Sequence, residues 1–271
     1  ESQVFVDFPT DNDDGRTISF GEADGSSTQT TTLNESATTK AGVHFIEPLI
    51  EQKVRQELGK TQEAIITDAD LLSITSFYFY GSSVQNLADL SGMLNLEILS
   101  WDHGTIDTLQ PIKDLKKLKR LTIESTTIKS ASGLEAMLQL EYLCLNQSNL
   151  ADFDGFIGQT ALKELDITYT NITDVSWLEN MQNLETFTAW YLVTWPEVID
   201  FSPLRFCKNL KEIGLRETSI TDISPLFELD GLEHVNLYEA SVFYEPDGEA
   251  QYQELKRRLP NCEISWGRRS D

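Results

Sequence analysis

One register recurs eight times along this chain and limits what it can fold into. Aliphatic residues stand at Ile74, Leu96, Leu118, Leu140, Leu162 and Leu184, each 22 positions after the last, and then at Leu210 and Leu232, after steps of 26 and 22. A second column, Val84, Ile106, Ile128, Leu150, Ile172, Val198, Ile220 and Val242, is apolar in all eight units. In a chain that is 40% hydrophobic, eight of eight by chance has a probability of roughly one in a thousand. A fixed period of this size marks an array of stacked supersecondary units.

Each unit has two halves. The first alternates with period two, as in Leu99 and Trp101, Leu121 and Ile123, Leu143 and Leu145, Leu165 and Ile167, or Ile213 and Leu215, which predicts a short strand with one buried face. The second spaces its apolar residues by three, as in Ile172, Val175 and Leu178 or Ile220, Ile223 and Leu226, which suits a 3₁₀ turn. Pro111, Pro203 and Pro225 fall where such turns start. One strand and one return turn cannot bury their columns alone, so the units must stack. The expected architecture is an α/β solenoid of about eight repeats, with a parallel sheet on its concave side and 3₁₀ or short-helix turns on its convex side.

The segments Asn171-Ile172-Thr173-Asp174-Val175 and Ser219-Ile220-Thr221-Asp222-Ile223-Ser224-Pro225-Leu226 carry a resemblance to the 22-residue leucine-rich repeats of the bacterial internalin type. The stretch from Val43 to Ile74 resembles the helical cap preceding such repeats in secreted proteins of Gram-positive bacteria, so the likeness covers roughly residues 43–244. It implies a right-handed superhelix with helical caps. The family's asparagine ladder is replaced by Ser82, Gly104, Thr126, Ser148, Thr170, Leu192, Thr218 and Ala240. Hydroxyls serve fewer hydrogen bonds than an amide, so less regular turns are expected.

The chain divides into residues 1–42, a polar segment; 43–73, a helical cap; 74–244, the repeats; and 245–271, a helix and strand closing the far end. An open solenoid exposes apolar columns at both ends and needs such caps. Glu47 to Leu58 reads as a helix with Pro48 in its first turn, Leu49, Ile50, Val54 and Leu58 on one side, and Gly59 as its stop. Thr67 and Asp70 have the spacing that opens a second helix. Glu249 to Leu259 reads as a helix, with a strand over Cys262 to Trp266. Residues 1–42 are rich in Ser, Thr, Asp and Gly, as in a linker. The alternation Val4, Val6, Phe8 and the run Thr17-Ile18-Ser19-Phe20 are compatible with a hairpin. The acidic turn from Asp11 to Gly15 is a poor calcium loop, since Thr10 and Gly21 occupy its first and last ligand positions.

Composition bounds the chemistry. With 21 Lys plus Arg against 44 Asp plus Glu, the formal charge is -23, which repels nucleic acid and anionic lipid. The basic run Lys113, Lys116, Lys117, Lys119 and Arg120 reads as a solvated face rather than an anion site. No apolar run is long enough to span a membrane. Cys144, Cys207 and Cys262 lie far apart, and His44, His103 and His234 do not stand at metal spacing, so no metal or cofactor is expected. No nucleophile elbow, phosphate loop or dinucleotide fingerprint occurs. Pairs such as Asp102 with Glu124 and Asp166 with Glu164 are expected to be solvated rather than catalytic. No enzymatic activity is expected.

Positions flanking the buried strand pair form two rows on the inner face. One is Tyr78, Ser100, Thr122, Cys144, Asp166, Thr188, Gly214 and Asn236; the other is Tyr80, Asp102, Glu124, Asn146, Thr168, Trp190, Arg216 and Tyr238. His103, Tyr142, Tyr169, Tyr191 and His234 sit beside them. The four extra residues of the 26-residue step fall between Ala189 and Val198, where Trp190, Tyr191 and Trp195 would form a lip over the concave face or fold inward beside Ala189. Tyr, Trp and Arg dominate interface hot spots, although aromatics also suit any sheet surface. The expected ligand face is therefore Tyr78, Tyr80, Asp102, His103, Glu124, Tyr142, Asn146, Asp166, Tyr169, Trp190, Tyr191, Trp195, Arg216 and Tyr238. The expected role is recognition of a protein, with a basic partner favoured by charge and a glycan as a further option, by a protein secreted or displayed on a bacterial surface. The alternative is an intracellular adaptor or regulatory subunit.

Overall fold

A computed structural model describes residues 42–81, 83–192 and 198–268. The possible hairpin and the acidic turn of the first 41 residues, together with Ser82 and Trp195, lie outside the described residues. Among the described residues nine strands run parallel in one sheet: β1 (Ser76–Tyr80), β2 (Ile98–Ile106), β3 (Arg120–Ile128), β4 (Tyr142–Cys144), β6 (Glu164–Asp166), β7 (Thr186–Thr188), β8 (Glu212–Gly214), β9 (His234–Asn236) and β10 (Glu263–Ser265). A two-residue β5 (Asn149–Leu150) pairs with the end of β3. Eight of the nine are the repeat strands, and β10 closes the array beside β9.

Register follows the period. Leu99 pairs with Leu121, Leu143 with Leu165, and Phe187 with Ile213, so each column becomes a continuous buried spine. Return turns are 3₁₀, among them Gln110–Ile112, Ser176–Asn180, Ser202–Phe206 and Ser224–Glu228. The Asp-x-Ser element explains their placement. Ser176, Ser202 and Ser224 each donate backbone N–H and hydroxyl to the carboxylate two residues earlier, on Asp174, Asp200 and Asp222, satisfying donors that a helical turn leaves open.

The turns after the strands are more regular than the missing asparagines imply. His103, Ser125, Gln147, Tyr169, Tyr191, Glu217 and Glu239 all adopt left-handed backbone, with φ between 48° and 65°, and only the step from Tyr191 to Glu217 departs from 22 residues. Such a conformation costs a non-glycine residue about 1–2 kcal/mol. A backbone ladder offsets it: Ser125, Gln147, Tyr169, Tyr191 and Glu217 each donate their N–H to a carbonyl of the next unit, on Asn146, Thr168, Trp190, Arg216 and Tyr238, at 2.9–3.0 Å. The hydroxyls at the asparagine-ladder positions add bonds of two kinds: local ones from Thr170 to the Ile167 carbonyl and from Thr218 to the Leu215 carbonyl, and one from Ser148 to the Ile123 carbonyl of the preceding repeat. Amides return at another position: Asn95, Asn183 and Asn209 donate across repeats to the carbonyls of Leu72, Thr160 and Gln182.

The inserted unit corrects one column. Val198 is 64% exposed and Ile199 is buried instead, because the insertion shifts the chain by one residue before Phe201 and Leu204 resume the register.

At the first end, α1 (Pro48–Leu58) buries Ile50 and Val54 and stops at Gly59, whose φ of 62° is left-handed. Leu49 was expected on the same side but is 43% exposed. The Asp89 carboxylate accepts the N–H groups of Ile46 and Glu47 and so fixes α1 to the first repeat. The second helix, α2 (Asp68–Leu72), opens with a reciprocal Thr67–Asp70 capping box. At the other end α3 (Gly248–Arg258) buries Leu255.

The basic run does not converge on a common point. Lys117 bonds Asn95, Lys119 pairs with Glu141, and the Arg120 guanidinium lies 3.7 Å above the Tyr142 ring.

Candidate functional site

The inner face is the side of the sheet opposite the 3₁₀ turns. Pairing runs unbroken from Tyr78 through Ser100, Thr122, Cys144, Asp166, Thr188 and Gly214 to Asn236 and Ser265. Tyr80, Asp102 and Glu124 begin the second row in register. A third row completes the face at the strand starts: Arg120, Tyr142, Glu164, Thr186, Glu212, His234 and Glu263. Sequence reasoning placed only Tyr142 and His234 near it. The signal for the others was the same alternation, carried one step toward the start of each strand.

Side chains group into three zones. In the first, Tyr78 and Tyr80 are 53% and 72% exposed, Tyr80 packs on His103 at 4.9 Å, and His103 Nδ1 lies 2.7 Å from the Asp102 carboxylate. In the middle, the buried thiol of Cys144 lies between Glu124 and Asp166 at 3.6 and 4.0 Å. Burial, with these two carboxylates beside it, pushes the thiol up to about 12, which keeps it protonated at neutral pH. Burial likewise raises the Tyr142 hydroxyl to about 12. Asp166 accepts the backbone N–H of Thr168 at 2.9 Å.

The third zone holds the aromatic cluster. Tyr169 stacks on Tyr191, and the Arg216 guanidinium lies 5.5 Å from the Tyr191 ring and 5.3 Å from that of Tyr238. Hydrogen bonding to Glu217 raises the Tyr191 hydroxyl to about 12, while Arg216 pairs with Glu217 at 3.0 Å. Trp190 lies on the sheet, half-buried, with its pyrrole edge against Gly214, so close that a Cβ at that position would collide with Nε1. This is neither a free lip nor packing beside Ala189. Next to the indole is a groove of about 230 Å³ whose walls include Thr188, Glu212, His234, Asn236, Glu263 and Ser265. Position 214 carries no side chain, and the indole occupies the space that one would take. Three polar atoms in consecutive units, Asn146 Oδ1, Thr168 Oγ1 and Trp190 Nε1, are buried with no hydrogen-bond partner among the described residues.

Among the described residues no group of three or more His, Cys, Asp or Glu side chains is placed to hold a metal ion, and no helix is long and apolar enough to cross a membrane.

Stacked 22-residue units, one open parallel sheet and 3₁₀ returns define a leucine-rich-repeat solenoid. Solved structures with the same fold include an internalin C2 from Listeria monocytogenes, with a TM-score of 0.65 at 24% identity, covering 72% of this chain and 84% of that one. The internalin InlF from the same species gives 0.60 at 20%, covering 83% and 77%, and a leucine-rich-repeat protein from Leptospira interrogans gives 0.57 at 17%, covering 74% and 51%. No protein-family profile and no curated protein matches the chain.

Proposed function

We propose that the chain is a non-enzymatic recognition protein, secreted or displayed on a bacterial surface, that binds a protein ligand through the inner face of its sheet. The observation that carries this reading is the third zone, where Tyr169, Tyr191, Arg216 and Tyr238 stack in sequence beside Trp190. Amphipathic rings held rigid by their neighbours lose little entropy on binding and offer large contact area. The ligand-contacting residues of this proposal are Tyr78, Tyr80, Asp102, His103, Glu124, Tyr142, Asn146, Asp166, Tyr169, Trp190, Tyr191, Trp195, Arg216 and Tyr238.

The test is to identify a protein ligand by capture and compare dissociation constants. Tyr191→Ala and Trp190→Ala are expected to weaken binding about tenfold or more, as hot-spot residues do, while Leu138→Ala on an exposed position outside this face leaves it unchanged. Equal affinities for all three variants would remove the proposal.

One observation favours the intracellular alternative: all three cysteines are free, as is usual in reducing compartments. A signal peptide on the precursor decides against it.

A further inference from the structure

The groove beside Trp190 has a chemistry of its own. The Trp190 indole, lying over Gly214, forms one wall, and Glu212 and Glu263 stand at the strand-start end, flanking His234. From the level of Glu212 to that of Gly214 is two residues of strand, about 6.6 Å, a length that the methylene stem of a lysine covers. The cations nearby are engaged elsewhere: Arg216 pairs with Glu217, and Lys211 with Glu185. His234 Nδ1 reaches Glu263 at 3.3 Å, whereas Glu212 has no side-chain partner among the described residues.

We infer that this groove is a subsite for one lysine side chain of the protein ligand. It rests on the reading of the inner face as a binding surface. The stem packs against the indole, and the ammonium sits at the rim beside Glu212 and Glu263. Amphipathic side chains bury their stems in this way while keeping the charge at a polar edge, and a lysine complements a chain of formal charge -23.

The experiment uses the intact chain and three N-acetylated, C-amidated peptides, Gly-Gly-Lys-Gly-Gly and its norleucine and alanine counterparts, followed through the indole N–H signals of the five tryptophans. The lysine peptide is expected to shift the Trp190 signal saturably and to bind about tenfold more tightly than the norleucine peptide, the scale of a semi-exposed ionic contact. The alanine peptide shifts nothing. The double variant Glu212→Gln, Glu263→Gln reduces lysine to the norleucine level. Equal affinities for lysine and norleucine, or no saturable shift up to about 100 mM, overturn the subsite. If the subsite fails while Trp190→Ala still weakens the captured ligand, the inner-face reading stands without it. If that variant is silent as well, both fall.

Discussion

Tyr169 and Tyr191 lie face to face, their ring centroids 4.4 Å apart and their planes 7° from parallel. Both hold left-handed backbone at the same point of successive repeats, so the solenoid's translation itself superimposes the rings. Arg216 and Tyr238 continue the stack.

The stack should be measurable as a coupling. Tyr169→Ala, Tyr191→Ala and the double variant, compared by urea unfolding, are expected to show an interaction of about 0.5–1.5 kcal/mol. Additive single effects would mean that the rings are merely adjacent.

Gly214 is required by Trp190 rather than by its own backbone. Gly214→Ala places a methyl group where the indole lies. The expected result is a loss of about 1–3 kcal/mol with red-shifted tryptophan emission. Unchanged emission and stability would show that the ring does not rest there.

The left-handed positions predict an unusual gain. Gln147 is exposed and has a φ of 57°, and glycine there removes the Cβ strain while enlarging the freedom of the unfolded chain. Gln147→Gly is expected to stabilise by about 0.5 kcal/mol, the net of these opposed effects. A loss of similar size, seen in thermal unfolding, contradicts the backbone assignment.

The cap carries an acid-sensitive contact. The Lys60 ammonium, with the Thr67 hydroxyl and N–H, holds the Asp70 carboxyl at about 2, below its ordinary 3.8. A depressed folded-state value contributes stability that is fully present above the unfolded value and is lost as pH falls through the folded one. The stability difference between the protein and Asp70→Asn is therefore expected to shrink as pH falls from about 5 to about 2. A constant difference would show that Asp70 acts only through the shape of the cap.

Much of this fold is legible from the positions of Leu96, Leu118, Leu140, Leu162 and Leu184, because a period that matches one structural unit leaves few ways to bury its columns. What the residues did not disclose lies where the backbone takes over from side chains. The asparagine positions are filled by Thr126, Ser148 and Thr170, yet the turns stay regular, since Gln147, Tyr169 and Tyr191 pass the ladder on through their own N–H groups. Val198 and Ile199 are both apolar, and only the path of the insertion selects which is buried. On the inner face, alternation gave the rows, but the contact of Trp190 with Gly214 depends on a rotamer and on a missing side chain in the neighbouring unit. Sequence pattern carries no signal for that pairing.

The central claim is that the ligand is met by the inner face. A photo-reactive phenylalanine placed in turn at Tyr80 and Tyr169, and at the exposed Leu138 and Phe206 outside that face, reports which side touches it. In the presence of the captured ligand the account predicts covalent adducts from positions 80 and 169 and none from 138 and 206. Adducts from 138 and 206 alone would contradict it.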